Sequence, residues 1–204
     1  MNKKNKKIIR TFTIMVCIAA VILAGFYYIS REDGDSTAVS SENETEVDKL
    51  LRKDLDDKYP ETPVEVVKMY WRINKCIYNT SLKDEEFDGL LKQLRKMYDE
   101  ELLNDDDNSW KAMSYRLKKD KAKYAEDKKT ISTYTVEQNS SVKYGKVDGK
   151  DCATVITATM IKKKTERSMV YEKFLCRKDS GNNWRILGWD ITKDKDEIAS
   201  VISE

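Results

Sequence analysis

The sequence contains no histidine. That absence excludes Ser-His-Asp and Cys-His catalysis, imidazole metal ligands and imidazole pH switches. Proline occurs twice and glycine seven times, which excludes collagen-like, Pro-rich and Gly/Ser-rich chains. A strong overall charge is also missing, since the formal net charge is only +2. What remains is polar but not poor in bulk. Mean hydropathy is −0.70, yet four Trp, eleven Tyr and four Phe supply the material of a core. A chain of 204 residues of this kind is one domain, or one domain with appendages.

The charge that exists is distributed unevenly. Lys3, Lys4, Lys6, Lys7 and Arg10 open the chain without an acid among them. The rest carries 33 basic against 36 acidic side chains, and residues 31–46 alone carry a net of −5. The mildly basic total therefore reflects the tail and is not a nucleic-acid signature. Residues 11–30 hold no charge. As a helix they would be about 30 Å long, the thickness of a hydrocarbon core. Phe26, Tyr27 and Tyr28 sit where an aromatic belt belongs. The expectation is a single-pass transmembrane anchor in the cell membrane, N-terminus cytoplasmic, with the remainder extracytoplasmic. A cleaved signal peptide is the competing reading, with Ala38-Val39-Ser40 as a downstream small-residue site.

Residues 31–61 read as an acidic linker that ends in a short helix bearing Val47, Leu50, Leu51 and Leu55. Thr62, Pro63 and Glu65 form a capping-box signature. The helix it opens runs to about Tyr78, with Val66, Tyr70, Ile73 and Ile77 on one stripe and Trp71 beside it. A second helix starts at Ser81–Asp84 and carries Phe87, Leu90, Leu91, Leu94, Met97, Tyr98 and Leu102. The acidic break Asn104–Ser109 opens a third helix, with Trp110, Met113, Leu117 and Tyr124 on its apolar face. From Thr130 the period changes to two. Residues 131–138 and 141–147 read as one bent strand, and Asp148-Gly149 as a two-residue hairpin turn. Strands over 152–163, 169–178 and 184–191 follow, with a turn at Thr165–Ser168, and 193–204 reads as a tail. The class is α+β, with a transmembrane helix followed by three helices packed on a curved four-stranded antiparallel meander over residues 62–192.

Three helices, a long meander and the closing Trp184-Arg185-Ile186-Leu187-Gly188-Trp189-Asp190 strand resemble the nuclear transport factor 2-like, cystatin-like cone fold. The layout as a whole also resembles a clostridial-type family of anchored proteins of unknown function, which implies a Gram-positive source. The cone superfamily contains enzymes, ligand binders and scaffolds, so the resemblance implies a fold and not an activity.

Few residues point to chemistry. Asp105–Asp107 are consecutive acids and lack the alternation of a calcium loop. They read as acid before a helix N-terminus. The lysines of the third helix, Lys111 to Lys129, are interspersed with Asp120, Glu126 and Asp127 and read as a solvated face. Cys17 lies in the apolar run, Cys76 in the first helix, Cys152 and Cys176 in strands. Pairing Lys162 with Glu172 sets Met160 opposite Phe174 and Ala158 opposite Cys176, and parts Cys152 from Cys176 along the sheet. A disulfide needs Cα atoms within about 7 Å. Buried thiols are expected, with Cys76 bonded to a strand cysteine as the alternative.

Tyr70, Trp71, Tyr115 and Trp189, with Trp184, are candidates to line a cone pocket, or are simply core. Asp190 points away from the face of Trp189 by strand alternation. No catalytic residue, metal site or cofactor is expected, and no nucleic-acid partner. The expected function is a membrane-anchored, non-catalytic domain that binds a protein partner or a small ligand. The alternatives are a scaffold of a secretion or conjugation apparatus, and a ligand-binding or isomerase-like domain. An isomerase-like site would need a buried carboxylate with a tuned pKa beside a tyrosine.

Overall fold

The computed structural model describes residues 44–202. Thr45 opens the first helix, α1 (Glu46–Arg52), through a capping box with Asp48. Val47 and Leu50 of α1 are buried. Gln93 Nε2 donates to the carbonyls of Leu50 and Lys53, at 3.3 and 2.7 Å, and so closes its C-terminal end. A Cβ at Gly89 would lie 2.5 Å from Leu51 Cδ2. Any larger residue at Gly89 would require the Leu51 side chain to shift.

The Thr62 capping box with Pro63 at the first turn forms as its residues dictate and opens α2 (Pro63–Asn79). α3 (Asp84–Lys96) starts at Lys83 rather than Ser81, and the chain then breaks. Asp99 caps a separate short helix, α4 (Glu100–Asn104). A 3-10 turn (Asp106–Asn108) follows, capped by Asp105 Oδ1 accepting from the Asp107 amide at 2.9 Å. Ser109 caps α5 (Trp110–Glu126).

The sheet has five strands, β1 (Lys129–Val136), β2 (Lys143–Val147), β3 (Lys150–Lys163), β4 (Glu166–Lys178) and β5 (Trp184–Ile191). The order is β1-β3-β4-β5, all antiparallel, with β2 also on β3. This corrects the four-stranded expectation. The stretch taken for one bent strand is two strands that share one edge of β3, β1 along residues 157–163 and β2 along 150–154. Glu137 bridges the gap between them. Its amide donates to the Ile156 carbonyl, and its Oε1 accepts from the Ile156 amide.

The Asp148-Gly149 turn sets Val147 opposite Lys150 and Gly145 opposite Cys152, the expected register. The next hairpin is corrected. Its turn is Lys164-Thr165, with Lys164 at φ 55°, and Lys163 pairs Glu166. The whole β3–β4 pairing therefore slides. Thr157, not Lys162, lies opposite Glu172, Val155 opposite Phe174 and Ala153 opposite Cys176. Cys152 and Cys176 become diagonal neighbours on opposite faces, and both are free thiols, as is Cys76.

One face of the sheet packs under the helices. Ala153, Val155, Phe174, Cys176, Trp184 and Ile186 join Val66, Ile73, Ile77, Leu90 and Leu94 in a single core. The other face carries Ile156, Ala158 and Tyr171 beneath Val201. Val201 belongs to α6 (Lys195–Ile202), a helix where the sequence reads as tail. The Asp194 carboxylate caps α6 by accepting from the amides of Asp196 and Glu197. Two contacts lock the start of β5. Ile186 exchanges backbone hydrogen bonds with Met97 and Asp99, both at 2.8 Å. Arg177 of β4 grips the Asp99 carboxylate with Nε at 3.0 Å and Nη2 at 2.5 Å.

The α+β class stands, with six α-helices and a 3-10 turn among the described residues. The membrane architecture does not. No helix among the described residues is long and apolar enough to cross a membrane. The expected single-pass helix, and the cell-membrane localisation and topology drawn from it, thus find no support in the described helices. Residues 11–30, on which that expectation rested, lie outside the described residues, as does Cys17.

Candidate functional site

Helix α2 delivers Tyr70 and Trp71 to the sheet, and both are buried. Their backbone positions are consecutive, so the rings diverge and meet edge to face at 5.4 Å. Tyr70 packs on Phe174 at 5.0 Å and on Trp189 at 5.4 Å. Trp189 stacks on Phe174 at 5.8 Å and touches Tyr98 at the same distance. Trp71 stacks on Tyr134 at 6.2 Å. Three of the four candidate aromatics thus converge. Tyr115 does not. It is 69 % exposed on α5. Trp184 is buried at the opposite end of β5, against Tyr144. Asp190 is exposed on the far side from Trp189 and accepts from the Ile191 amide at 2.7 Å.

The groups that give this face chemistry are others. Strand alternation puts Thr157 and Thr159 on the same side as Val155, under the helices. Both are almost completely buried, at 0 and 1 % exposure. Among the described residues neither hydroxyl has a hydrogen-bond partner, and neither does Trp71 Nε1. Buried polar atoms are nearly always paired, because an orphan costs about 1–3 kcal/mol. Here two lie on one strand, with Trp71 stacked on the Tyr134 that pairs with Thr159.

Directly opposite Thr157 across the ladder stands Glu172. It is only partly exposed. Among the described residues its side chain makes no hydrogen bond or ion pair. Burial pushes its carboxyl up to about 7. It is close enough to Tyr70, Tyr78 and Tyr124 to help hold their phenols above the ordinary range, though burial is the larger cause for each. Tyr78 and Tyr124 pack ring to ring at 4.7 Å. The open side of this arrangement is the end of β5. There Trp189 is 37 % and Ile191 62 % exposed, and Ile191 is the cross-strand neighbour of Glu172.

Sequence reasoning named Tyr70, Trp71 and Trp189 but missed Thr157, Thr159 and Glu172. A signal was available. Glu172, Phe174 and Cys176 alternate, so a carboxylate shares the phase of a core phenylalanine. The hairpin register that would have placed Thr157 beside it was read five residues off.

Other features offer less. Two surface grooves, of about 570 and 630 Å³, are lined by charges of both signs. None of the orphaned buried atoms lines either. No group of three or more acidic or thiol side chains suited to a metal occurs among the described residues. No curated protein matches the chain. A family model described as Domain of unknown function (DUF6715) matches residues 1–189. That span is most of the chain, and the protein therefore belongs to the DUF6715 family.

Proposed function

We propose that the domain binds a small organic molecule on the helix-covered face of its sheet, without acting on it chemically. The ligand lies between the Thr157–Glu172 pair and the rings of Tyr70 and Trp189, and enters past Trp189 and Ile191. One observation carries this reading: buried hydroxyls without partners on Thr157 and Thr159 sit beside an unpaired carboxyl and under an aromatic wall. A ligand donor or acceptor would satisfy groups that the protein leaves unsatisfied. Melting of the full-length chain against pools of small aromatic and heterocyclic compounds tests it. Binding hits raise the melting temperature, and Trp189→Ala abolishes the rise. Hits that survive Trp189→Ala and Glu172→Gln refute the placement.

A second reading, proton transfer, is favoured by the same carboxyl. A glutamate that titrates near 7 is suited to general acid–base work at neutral pH, and Tyr70 supplies a neighbouring phenol donor. It requires that a compound identified by binding be turned over, and that Glu172→Gln stop turnover.

A further inference from the structure

We infer that the molecule bound on this face is an organic cation, an ammonium group carried on an aromatic or aliphatic body. This rests on the proposed binding reading and names its ligand class.

The inference follows from where the protein spends its own cations. Among the described residues Glu172 has no ion pair, and burial alone acts on its carboxyl. Five basic groups of the surrounding elements are engaged elsewhere. Lys173 projects from the opposite face of β4 and pairs with Glu197 of α6 at 3.0 Å. Arg177 is held by Asp99 and by Glu101 at 2.9 Å. Lys129 and Lys163 both reach Asp127. Lys129 Nζ also lies 5.8 Å from the Tyr124 ring centroid. Arg116 acts on Tyr70 and Tyr78 from a distance, but its guanidinium donates to the Asp107 carbonyl and to Asn108 Oδ1, both at 2.9 Å.

The groups paired with Glu172 across the sheet, and the tyrosines within its electrostatic reach, are neutral at physiological pH. They are Tyr70 and Tyr78 from α2, Tyr124 from α5, Thr157 from β3 and Ile191 from β5. A carboxylate in such surroundings is neutralised either by its own proton or by a cation from outside, and above pH 7, where the proton is lost, a cation is the partner it lacks. The surroundings also suit one. Trp189, partly exposed, has its ring centroid 5.4 Å from that of Tyr70 and 5.8 Å from that of Tyr98, and an ammonium beside such rings is attracted by their quadrupoles. Thr157 Oγ1, orphaned and adjacent, is an acceptor for an ammonium proton. An anionic ligand would meet Glu172 with nothing to offset the repulsion.

The test uses matched probes that differ only in charge: phenethylamine against phenylethanol, and tryptamine against tryptophol. Binding to the full-length protein is followed at millimolar concentration through the Trp189 indole N–H resonance. At pH 8 the amines are expected to bind about tenfold or more tightly than the alcohols. Glu172→Gln, close to isosteric, should erase the difference. Amine affinity should fall several-fold as pH drops from 8 to 6, as Glu172 takes up its proton. Equal binding of amines and alcohols, unchanged in Glu172→Gln, overturns the cation inference and leaves the binding face intact. If no probe perturbs the Trp189 resonance, the binding face itself is refuted along with the inference.

Discussion

Replacing Glu172 by Gln should make the protein more stable at neutral pH, and the gain should depend on pH in a defined way. The Glu172 carboxyl is raised from its ordinary 4.5 to about 7 by burial. That corresponds to about 3 kcal/mol of preference for the neutral form. Between those two values the unfolded chain has released the proton while the folded chain still holds it. Stability is therefore fullest below about 4.5 and is lost as pH rises toward 7, after which it levels. Gln carries no proton to lose, so its profile lacks this decline. The stability difference between Glu172→Gln and the natural protein should grow by about 2.5 kcal/mol from pH 5 to pH 8. In a domain of this size that is about 5–10 °C in melting temperature. Urea unfolding of both proteins at pH 5, 6, 7 and 8 measures it, and taking the difference across pH cancels any fixed cost of burying the amide. Profiles that run parallel within about 0.5 kcal/mol would show that Glu172 titrates as an exposed glutamate. The candidate site would then lose its charged element.

Thr157→Val should stabilise the ligand-free protein by about 1–3 kcal/mol, because it removes an orphaned hydroxyl at constant shape; a loss in urea unfolding would show that the hydroxyl is satisfied. Trp71→Ala should cost about 3–5 kcal/mol, whereas Tyr115→Ala, on an exposed ring, should stay within about 0.5 kcal/mol; equal effects would contradict the packing. Asp99→Asn should cost about 3 kcal/mol at pH 7 by breaking a buried pair. Burial would raise the Asp99 carboxyl, but Arg177 and the Glu101 amide hold it below its ordinary value. Its contribution is thus present above the ordinary carboxylate range and lost as pH falls through the depressed value, so the variant should converge with the natural protein in acid unfolding. Asp105→Ala should lose about 1 kcal/mol as a cap, and Ca²⁺ should move the melting of neither protein; a rise with Ca²⁺ that Asp105→Ala removes would reveal an ion site.

The legible parts of the fold were those written in contiguous residues. Thr62, Pro63 and Glu65 satisfy helix-end donors within four positions, and Asp148-Gly149 supplies the positive φ of a two-residue turn, so both elements form as read. The β3–β4 hairpin carries no such mark. Lys164 adopts its left-handed conformation without being Gly, Asn or Asp, and the turn was placed too late. A late turn parts Thr157 from Glu172, so their pairing is not legible in the sequence. The break of β1 from β2 was hidden for a related reason. Glu137 stands in for ladder hydrogen bonds through its side chain, which no alternation pattern reports. Tyr70, Trp71 and Trp189 stand out in the sequence because they are large aromatics, and the structure packs them together; Tyr115 stands out equally but is exposed on its helix. The apolar run at 11–30 is conspicuous, yet the membrane expectation built on it has no counterpart in the described helices.

The central claim is that a small molecule occupies the sheet face beneath Tyr70. Its most direct measurement is a protein-observed NMR titration of the full-length chain with compounds that raise its melting temperature. The expected result is that shifts cluster on Thr157, Thr159, Glu172 and the Trp189 indole and vanish in Trp189→Ala. Shifts confined to the charged groove around Lys53, Tyr59 and Arg72, with Thr157 and Glu172 unmoved, would contradict it.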